Sequence, residues 1–127
     1  MAQGKFGTAI NCMDGRVQLP VIEYLIKTYN LEYIDSITEP GPVKILAENG
    51  AEVDSIKRRV NISVEAHGSK IIAVIAHYDC AGNPVPKETQ IEQLKFALKT
   101  VGTWNYNVPC IGLWVDENWQ VEHVKFN

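Results

Sequence analysis

The sequence predicts an α/β fold, a three-layer sandwich with helices on both faces of the sheet. The sheet is expected to be mostly parallel and four-stranded, with an additional antiparallel C-terminal edge strand. Short apolar segments alternate with segments of helical periodicity, which is typical of parallel sheets. Residues 71–76 are continuously apolar and rich in β-branched side chains, as expected of a central strand covered on both sides. The last two extended segments are separated by a short polar turn, which predicts the antiparallel edge.

The first half of the chain predicts two strands separated by a helix. Residues 6–11 form a short apolar segment before an Asp-Gly turn, which favours a buried strand. Pro20 suits the first turn of a helix, and the apolar residues that follow recur at helical spacing. Residues 31–38 predict the second strand, which ends at the breaker 39–42, Glu-Pro-Gly-Pro. The helical stripe consists of Val21, Ile22, Leu25, Ile26 and Tyr29.

The second half predicts two further helices, the central strand and the terminal hairpin. One apolar stripe with steps of three and four residues marks a helix, and the His-Gly pair at 67–68 suits its C-terminal end. A Thr-x-x-Glu spacing that begins at Thr89 predicts the start of the next helix. Residues 111–115 and 119–126 predict the two strands of the hairpin. The stripes consist of Val53, Ile56, Val60 and Val64, and of Ile91, Leu94, Leu98 and Val101.

The composition predicts one globular domain that covers residues 1–127. Charged residues make up 21% and the net charge is -3, and basic residues cluster only at 57–59, so we expect no nucleic-acid partner. The longest apolar run is too short to cross a bilayer, and the N-terminus lacks the apolar segment of a signal peptide. Three cysteines are too few for a disulfide-stapled secreted scaffold. We therefore expect a cytoplasmic protein with reduced thiols and no membrane partner.

Residue types that bind metals follow two of the predicted strands. Cys12 leaves the first strand, and His77 and Cys80 leave the third. In such sheets ligands bind beyond the carboxyl ends of the strands, and these two strands can be neighbours, so the three side chains can converge. Two thiolates and one imidazole favour zinc in tetrahedral geometry. Three protein ligands leave the fourth position open, which is typical of a catalytic zinc site.

Two interpretations of these residues stay open. The cysteines could be core residues, since free cysteine is often simply buried, and Asp14 with Arg16 could form only a turn and its ion pair. We favour the functional interpretation because Asp14 and Arg16 follow Cys12 within four residues. Arg16 would then keep Asp14 ionised. Asp14 would either bind the zinc itself or accept a hydrogen bond from a zinc-bound hydroxide. Asp79, which precedes Cys80, fits a supporting position or a solvent-facing loop equally well.

The other polar and aromatic candidates have simpler interpretations. His67 is expected to cap a helix, and His123 to be an exposed residue on a strand. Cys110 is expected to be a buried and inert thiol. Trp119 is expected to anchor the core or an interface. Gly41 is expected to serve the backbone geometry near the candidate metal site.

The two motifs together resemble those of the β-class carbonic anhydrases. The motifs are Cys-x-Asp-x-Arg at residues 12–16 and His-x-x-Cys at residues 77–80, and the similarity in element order extends over about residues 6–126. The resemblance implies that Cys12, His77 and Cys80 bind Zn²⁺ and that Asp14 and Arg16 form a catalytic dyad. It implies the reversible hydration of carbon dioxide to bicarbonate by a zinc-bound hydroxide. Because sites of this family often lie at subunit interfaces, it also implies a homo-oligomer, with a dimer as the simplest form.

The chain departs from the family pattern at several positions. Ala81 stands where a glycine usually follows the last cysteine, and Ala76 stands where a glycine commonly precedes the histidine. In the loop after the second strand, only Gly41 matches the family's Ala-Gly-Asn stretch. Eleven residues precede Cys12, so we expect no N-terminal helical arm around a partner subunit.

Three other functions remain compatible with these motifs. The same site could hydrolyse carbon disulfide or carbonyl sulfide, which are also small linear electrophiles. The fold could instead serve as a zinc-binding domain without catalysis. A thiol redox protein would need Cys12 and Cys80 to form a reversible pair, without metal.

Overall fold

Strands and helices alternate along the chain, and five strands form one sheet. A computed structural model of the protein describes residues 2–127. The strands are β1 (Phe6–Cys12), β2 (Tyr33–Glu39), β3 (Ile72–His77), β4 (Cys110–Val115) and β5 (Val121–Val124). Their order in the sheet is β2-β1-β3-β4-β5, in which the first four strands run parallel and β5 is antiparallel to β4. The α-helices are α1 (Gln18–Tyr29), α2 (Pro42–Glu48), α3 (Val53–Asn61) and α4 (Lys87–Gly102).

Helices cover both faces of the sheet, which confirms the predicted three-layer α/β fold. The core on one face contains buried residues of α2, α3 and α4, and the core on the other contains those of α1. The central strand β3 contributes to both cores, because side chains alternate between the two faces of a strand. Ile72 and Val74 pack towards α4, whereas Ala73 and Ile75 pack towards α1. A strand buried on both faces explains the uninterrupted apolar sequence.

The structure corrects three local predictions. Helix α2 was not predicted, because its seven residues follow the Pro-Gly-Pro breaker and are too few to show a periodic stripe. Helix α4 begins at Lys87 after Pro86, so the predicted capping box at Thr89 lies inside the first turn. Strand β5 is shorter than 119–126, because Trp119 adopts a left-handed conformation with φ of 59° in the preceding turn.

Helix α3 has the predicted stripe and ends near the predicted residues. Its buried positions are Val53, Ile56 and Val60, and a π-helical turn over Ile62–Ala66 continues it to His67. Gly68 then takes a positive φ of 65°, as expected of the residue after a helix end. Across the described part of the chain, no helix has both the length and the apolar character that a membrane span requires.

Truncation of a core leucine in α2 should destabilise the protein. Leu46 is fully buried in the core shared with α4, so Leu46→Ala should lower the free energy of unfolding by about 2–5 kcal/mol. Leu19→Ala is the matched control, because Leu19 is 62% exposed. Urea denaturation followed by circular dichroism measures both. Equal losses in the two variants would contradict the assignment of α2 to the core.

Candidate metal centre

Cys12 lies at the carboxyl end of β1, where side-chain amides hold the turn that follows. The Asn11 side chain accepts a hydrogen bond from the Cys12 backbone N–H at 2.8 Å and donates one to the Val17 carbonyl at 3.1 Å. The Gln18 side chain donates to the Cys12 carbonyl at 2.6 Å. Asn11 is 1% exposed, so its two bonds form inside the protein, and together with the part-buried Gln18 bond they fix the backbone at Cys12.

The other two candidate ligands leave β3, the neighbour of β1 in the sheet. His77 is the last residue of β3, and Asp79 turns the chain with φ of 58° before Cys80. The pairing between β1 and β3 ends at Ile10 and Val74, so the two strands separate before they reach Cys12 and His77. This separation leaves space at the carboxyl edge of the sheet for all three side chains.

The ligand atoms of these three residues lie together in the interior. The Cys12 and Cys80 sulfurs and a ring nitrogen of His77 all lie within 4.8 Å of one another, and all three residues are buried. The two sulfurs are 3.9 Å apart. A zinc ion about 2.3 Å from each sulfur in tetrahedral geometry places the sulfurs about 3.8 Å apart. The observed separation therefore fits a shared zinc ion.

The hydrogen bonds of His77 support the same assignment. Its Nδ1 is 2.8 Å from the Tyr78 carbonyl, and since a carbonyl only accepts, Nδ1 carries the proton. In the neutral ring this leaves a lone pair on Nε2, and neutral imidazole is the form that binds metals. Among residues 2–127, this Nε2 is the single buried side-chain nitrogen or oxygen without a hydrogen-bond partner. Buried polar atoms seldom lack partners, so the residues present fit a metal ion that would satisfy this nitrogen.

The protonation of the two thiols follows from their contact. The hydrogen bond with Cys80 lowers the pKa of Cys12 well below its usual range, despite the opposing effect of burial. The same contact raises the pKa of Cys80, which keeps its proton beside the Cys12 thiolate, and burial adds to the increase. A divalent cation between the sulfurs would favour the thiolate form of both, since its positive charge would replace the stabilisation by water that burial removes.

The pKa of His77 results from opposing effects. Burial lowers it, but the interaction with Cys12 and the bond to the Tyr78 carbonyl favour the protonated ring, and the net change is an increase.

Asp14 and Arg16 form a bidentate ion pair next to the three candidate metal ligands. Arg16 Nη2 donates to Asp14 Oδ2 at 2.7 Å, and Arg16 Nε lies 3.1 Å from Oδ1. The backbone N–H of Arg16 also donates to Asp14 Oδ1 at 2.9 Å. These bonds lower the pKa of Asp14 to about 2. Asp14 is therefore an ionised acceptor at neutral pH, as the motif predicts.

Arg16 is held by contacts with two further residues, Asp79 and Trp119, that the sequence did not reveal. It donates to the Asp79 carbonyl at 3.0 Å, and its Nη1 lies 3.3 Å from the Asp79 carboxylate. Its guanidinium also stacks on the Trp119 ring, 4.7 Å from the centroid. Asp79 therefore combines both predicted interpretations, because it contacts Arg16 while its side chain remains 68% exposed to solvent. Trp119 anchors this ion pair from the β4–β5 turn, and no local sequence signal connects the two.

Two glycines allow the loops after β2 and β3 to touch next to the site. A Cβ on Gly82 would lie 2.6 Å from the Pro40 carbonyl carbon, and a Cβ on Gly41 would lie 2.8 Å from Asn83 Cβ. Gly41 also has a positive φ of 63°, which agrees with the backbone role expected for it. Beside this contact lies a cavity of about 280 Å³, lined by Cys12, Met13, Asp14, Pro40, Ala81 and Gly82.

Sequence reasoning missed Gln90, which contacts the backbone of a candidate ligand. Its side chain donates to the His77 carbonyl at 2.8 Å and accepts from the His77 N–H at 3.2 Å. The available signal was the position of Gln90 on α4. It lies four residues before Leu94 and seven before Ala97, both fully buried, so a glutamine there is a polar residue on the core face.

The remaining cysteine and histidines take part in other contacts. Cys110 begins β4 at the end of the strands opposite the ligand cluster, and it is half-buried instead of buried as predicted; burial raises the pKa of its thiol. His67 bonds to the Asp35 carboxylate at 2.6 Å in addition to ending its helix. His123 lies on β5, where it is half-buried instead of exposed as predicted.

The fold and the cluster define an α/β protein with two cysteines and one histidine at the carboxyl edge of a parallel sheet. A family model described as "Putative carbonic anhydrase" matches residues 2–125, so the chain belongs to this family. Membership confirms the resemblance that the two motifs indicated. A sequence comparison with curated proteins gives no match.

Two solved structures have similar folds. One is described as the β-carbonic anhydrase CcaA, with 16% identity and a TM-score of 0.63, and the match covers 99% of this chain and 79% of that one. The other is the β-carbonic anhydrase CafA of the fungal pathogen Aspergillus fumigatus, with 13% identity and a TM-score of 0.56 over 98% of this chain and 77% of that one. At these identities the similarity concerns the fold.

Addition of one methyl group at Gly82 should push the two loops apart. Gly82→Ala places its Cβ against the Pro40 backbone, which cannot move as a flexible side chain would. We expect a loss of about 1–3 kcal/mol in the free energy of unfolding, as is usual for overpacking. Gly15→Ala is the control, because a Cβ there meets nothing within 4 Å. Chemical denaturation compares them, and equal stability of the two variants would disprove the close contact.

Proposed function

We propose that the protein is a zinc-dependent lyase that catalyses the reversible hydration of carbon dioxide to bicarbonate. The observation that carries this proposal is the cluster of Cys12, His77 and Cys80, whose ligand atoms lie within 4.8 Å of one another. The unpartnered Nε2 of His77 adds to it, since a metal ion would satisfy this atom. Family membership and the similar folds of two β-carbonic anhydrases support the choice of substrate.

The three protein ligands suit a catalytic zinc ion in particular. Cysteine and histidine are the ligands that zinc prefers, and three of them leave one position free. Zinc bound there would lower the pKa of a water ligand towards neutrality and so supply a nucleophile. The chain's own residues determine how this chemistry is directed, through the ionised Asp14 and the cavity beside it.

Asp14 is suited to orient the nucleophile, because it can accept a hydrogen bond and has no proton to donate. Its pKa of about 2 keeps the carboxylate ionised over the pH range in which carbon dioxide and bicarbonate interconvert. Arg16 fixes the carboxylate through both oxygens, and the Trp119 ring restrains Arg16 in turn. Because the acceptor Asp14 is fixed, it would orient the O–H group of a nucleophile that donates to it. A lone pair on the oxygen of that nucleophile can then face the substrate carbon.

The cavity next to Cys12 suits a small uncharged substrate. Met13, Pro40 and Ala81 give it largely apolar walls, and the only carboxylate that lines it belongs to Asp14. Carbon dioxide carries no charge and needs no ion-pair partner. Apolar walls can therefore hold it near the ligand cluster without the cost of burying a charged group.

Zinc binding should depend on Cys80 and not on the third cysteine. We expect purified wild-type protein to contain about one zinc ion per chain, in keeping with a single three-ligand site. Cys80→Ser should lose most of this zinc, because a hydroxyl is a far poorer ligand than a thiolate. Cys110→Ser is the matched control and should keep its zinc, since Cys110 is the first residue of β4 and the proposed ligands lie at the carboxyl ends of the strands. Metal analysis after dialysis decides, and full zinc retention in Cys80→Ser would contradict the assignment.

Loss of the Asp14 charge should reduce catalysis more than metal binding. Asp14→Asn should lower the rate of carbon dioxide hydration about 10²-fold, as expected when a group that positions the nucleophile is lost, while the zinc content stays at the wild-type level. Asp54→Asn removes a carboxylate from α3 and is the control. Stopped-flow measurements with a pH indicator give the rates.

Two assays, of carbon dioxide hydration and of sulfide release, separate the alternative substrates. Wild-type protein that is fully loaded with zinc at pH 8 and shows no rate above buffer would refute carbon dioxide hydration. Sulfide release from carbon disulfide or carbonyl sulfide under those conditions would then favour the related hydrolase.

A further inference from the structure

The main chain of His77 lacks a strand partner on the side of β1. Odd-numbered residues around β3 direct their backbone groups towards β1, as the bond from the Thr8 N–H to the Ile71 carbonyl shows. Even-numbered residues direct theirs towards β4, and the Tyr78 N–H donates to the Val115 carbonyl. The N–H and C=O of His77 therefore face β1, but the pairing of β1 with β3 has already ended at Val74.

The Gln90 side chain takes the place of the missing strand. Its amide accepts from the His77 N–H at 3.2 Å and donates to the His77 carbonyl at 2.8 Å, and thus pairs with both backbone groups of one residue. Gln90 is 2% exposed, so water does not compete for these bonds. It reaches His77 from α4, the helix on the face opposite α1.

The two hydrogen bonds from Gln90 also restrain the imidazole ring of His77, through the peptide unit between His77 and Tyr78. The His77 carbonyl and the Tyr78 N–H belong to the same planar peptide, which is held by Gln90 at one end and by Val115 at the other. The next carbonyl, that of Tyr78, accepts from His77 Nδ1 and so leaves Nε2 directed into the cluster. Movement of the peptide would move the acceptor that selects the tautomer.

We propose that Gln90 is a positioning residue that fixes the backbone and ring of His77 for metal binding. The proposal rests on the zinc site of the proposed function. Residues that orient metal ligands typically change metal affinity when they are replaced, even though they do not touch the ion. Gln90 thus supports the one nitrogen ligand of the cluster from the opposite face of the sheet.

The test compares Gln90→Met with Thr100→Val. Methionine keeps the length of the side chain and removes the amide. Thr100 is also on α4 and donates a buried hydrogen bond to the Leu46 carbonyl at 2.8 Å, so its replacement costs a comparable buried bond far from His77. Zinc affinity is measured by competition with a chromophoric chelator, and thermal unfolding is followed in parallel.

Gln90→Met should bind zinc about 10- to 100-fold more weakly than wild type, as is typical when a group that orients a ligand is removed. Thr100→Val should keep wild-type affinity, although both variants should unfold at lower temperature. Equal zinc affinity of Gln90→Met and wild type would overturn the proposal and leave Gln90 as a structural residue only.

A metal-free measurement makes the test independent of catalysis. In chelator-treated protein, nitrogen NMR of the His77 ring should show the Nδ1-protonated tautomer in wild type and in Thr100→Val, and a mixture of tautomers in Gln90→Met. An unchanged tautomer in Gln90→Met would also contradict the proposal. Tight zinc binding without carbon dioxide hydration would refute only the proposed function. The role of Gln90 would then still be tested by the zinc affinity of Gln90→Met. If wild type binds no zinc, the tautomer of the His77 ring in Gln90→Met tests the role of Gln90.

Discussion

The separation of two central strands is the constraint on which the candidate site depends. Strands β1 and β3 pair only as far as Ile10 and Val74, and the remaining residues of each strand continue without the other. The gap gives room for two sulfurs and an imidazole, but it also removes hydrogen-bond partners from backbone groups in the interior. Such groups must be satisfied in another way, and side-chain amides of Asn11, Gln18 and Gln90 provide the bonds.

Much of the fold could be predicted from the sequence because each strong signal had a local cause. A strand covered on both faces must be apolar throughout, and a helix on a sheet must show a stripe, so β3 and α3 were evident. The same topology places the carboxyl ends of β1 and β3 at one edge. The convergence of Cys12, His77 and Cys80 was therefore predictable from residue type and strand order.

Other features depend on packing that no local pattern encodes. Helix α2 has seven residues, and its position is set by burial of Leu46 and by the hydrogen bond that Thr100 donates to that leucine. The stacking of Trp119 on Arg16 joins residues at opposite ends of the chain. The contact between Pro40 and Gly82 depends on two loops from different strands. Each of these contacts can be inferred only when the order of the strands in the sheet is known.

The stack of Arg16 on Trp119 also limits how the chain could be shortened by engineering. Every proposed zinc ligand and both members of the ion pair lie within the first 80 residues, so a fragment ending in α4 would keep all of them. Such a fragment would nevertheless lose the aromatic surface against which the guanidinium rests, together with β4, the strand that pairs with β3 along its whole length. The C-terminal hairpin is thus indispensable to a minimal version of this protein, although it contributes no ligand.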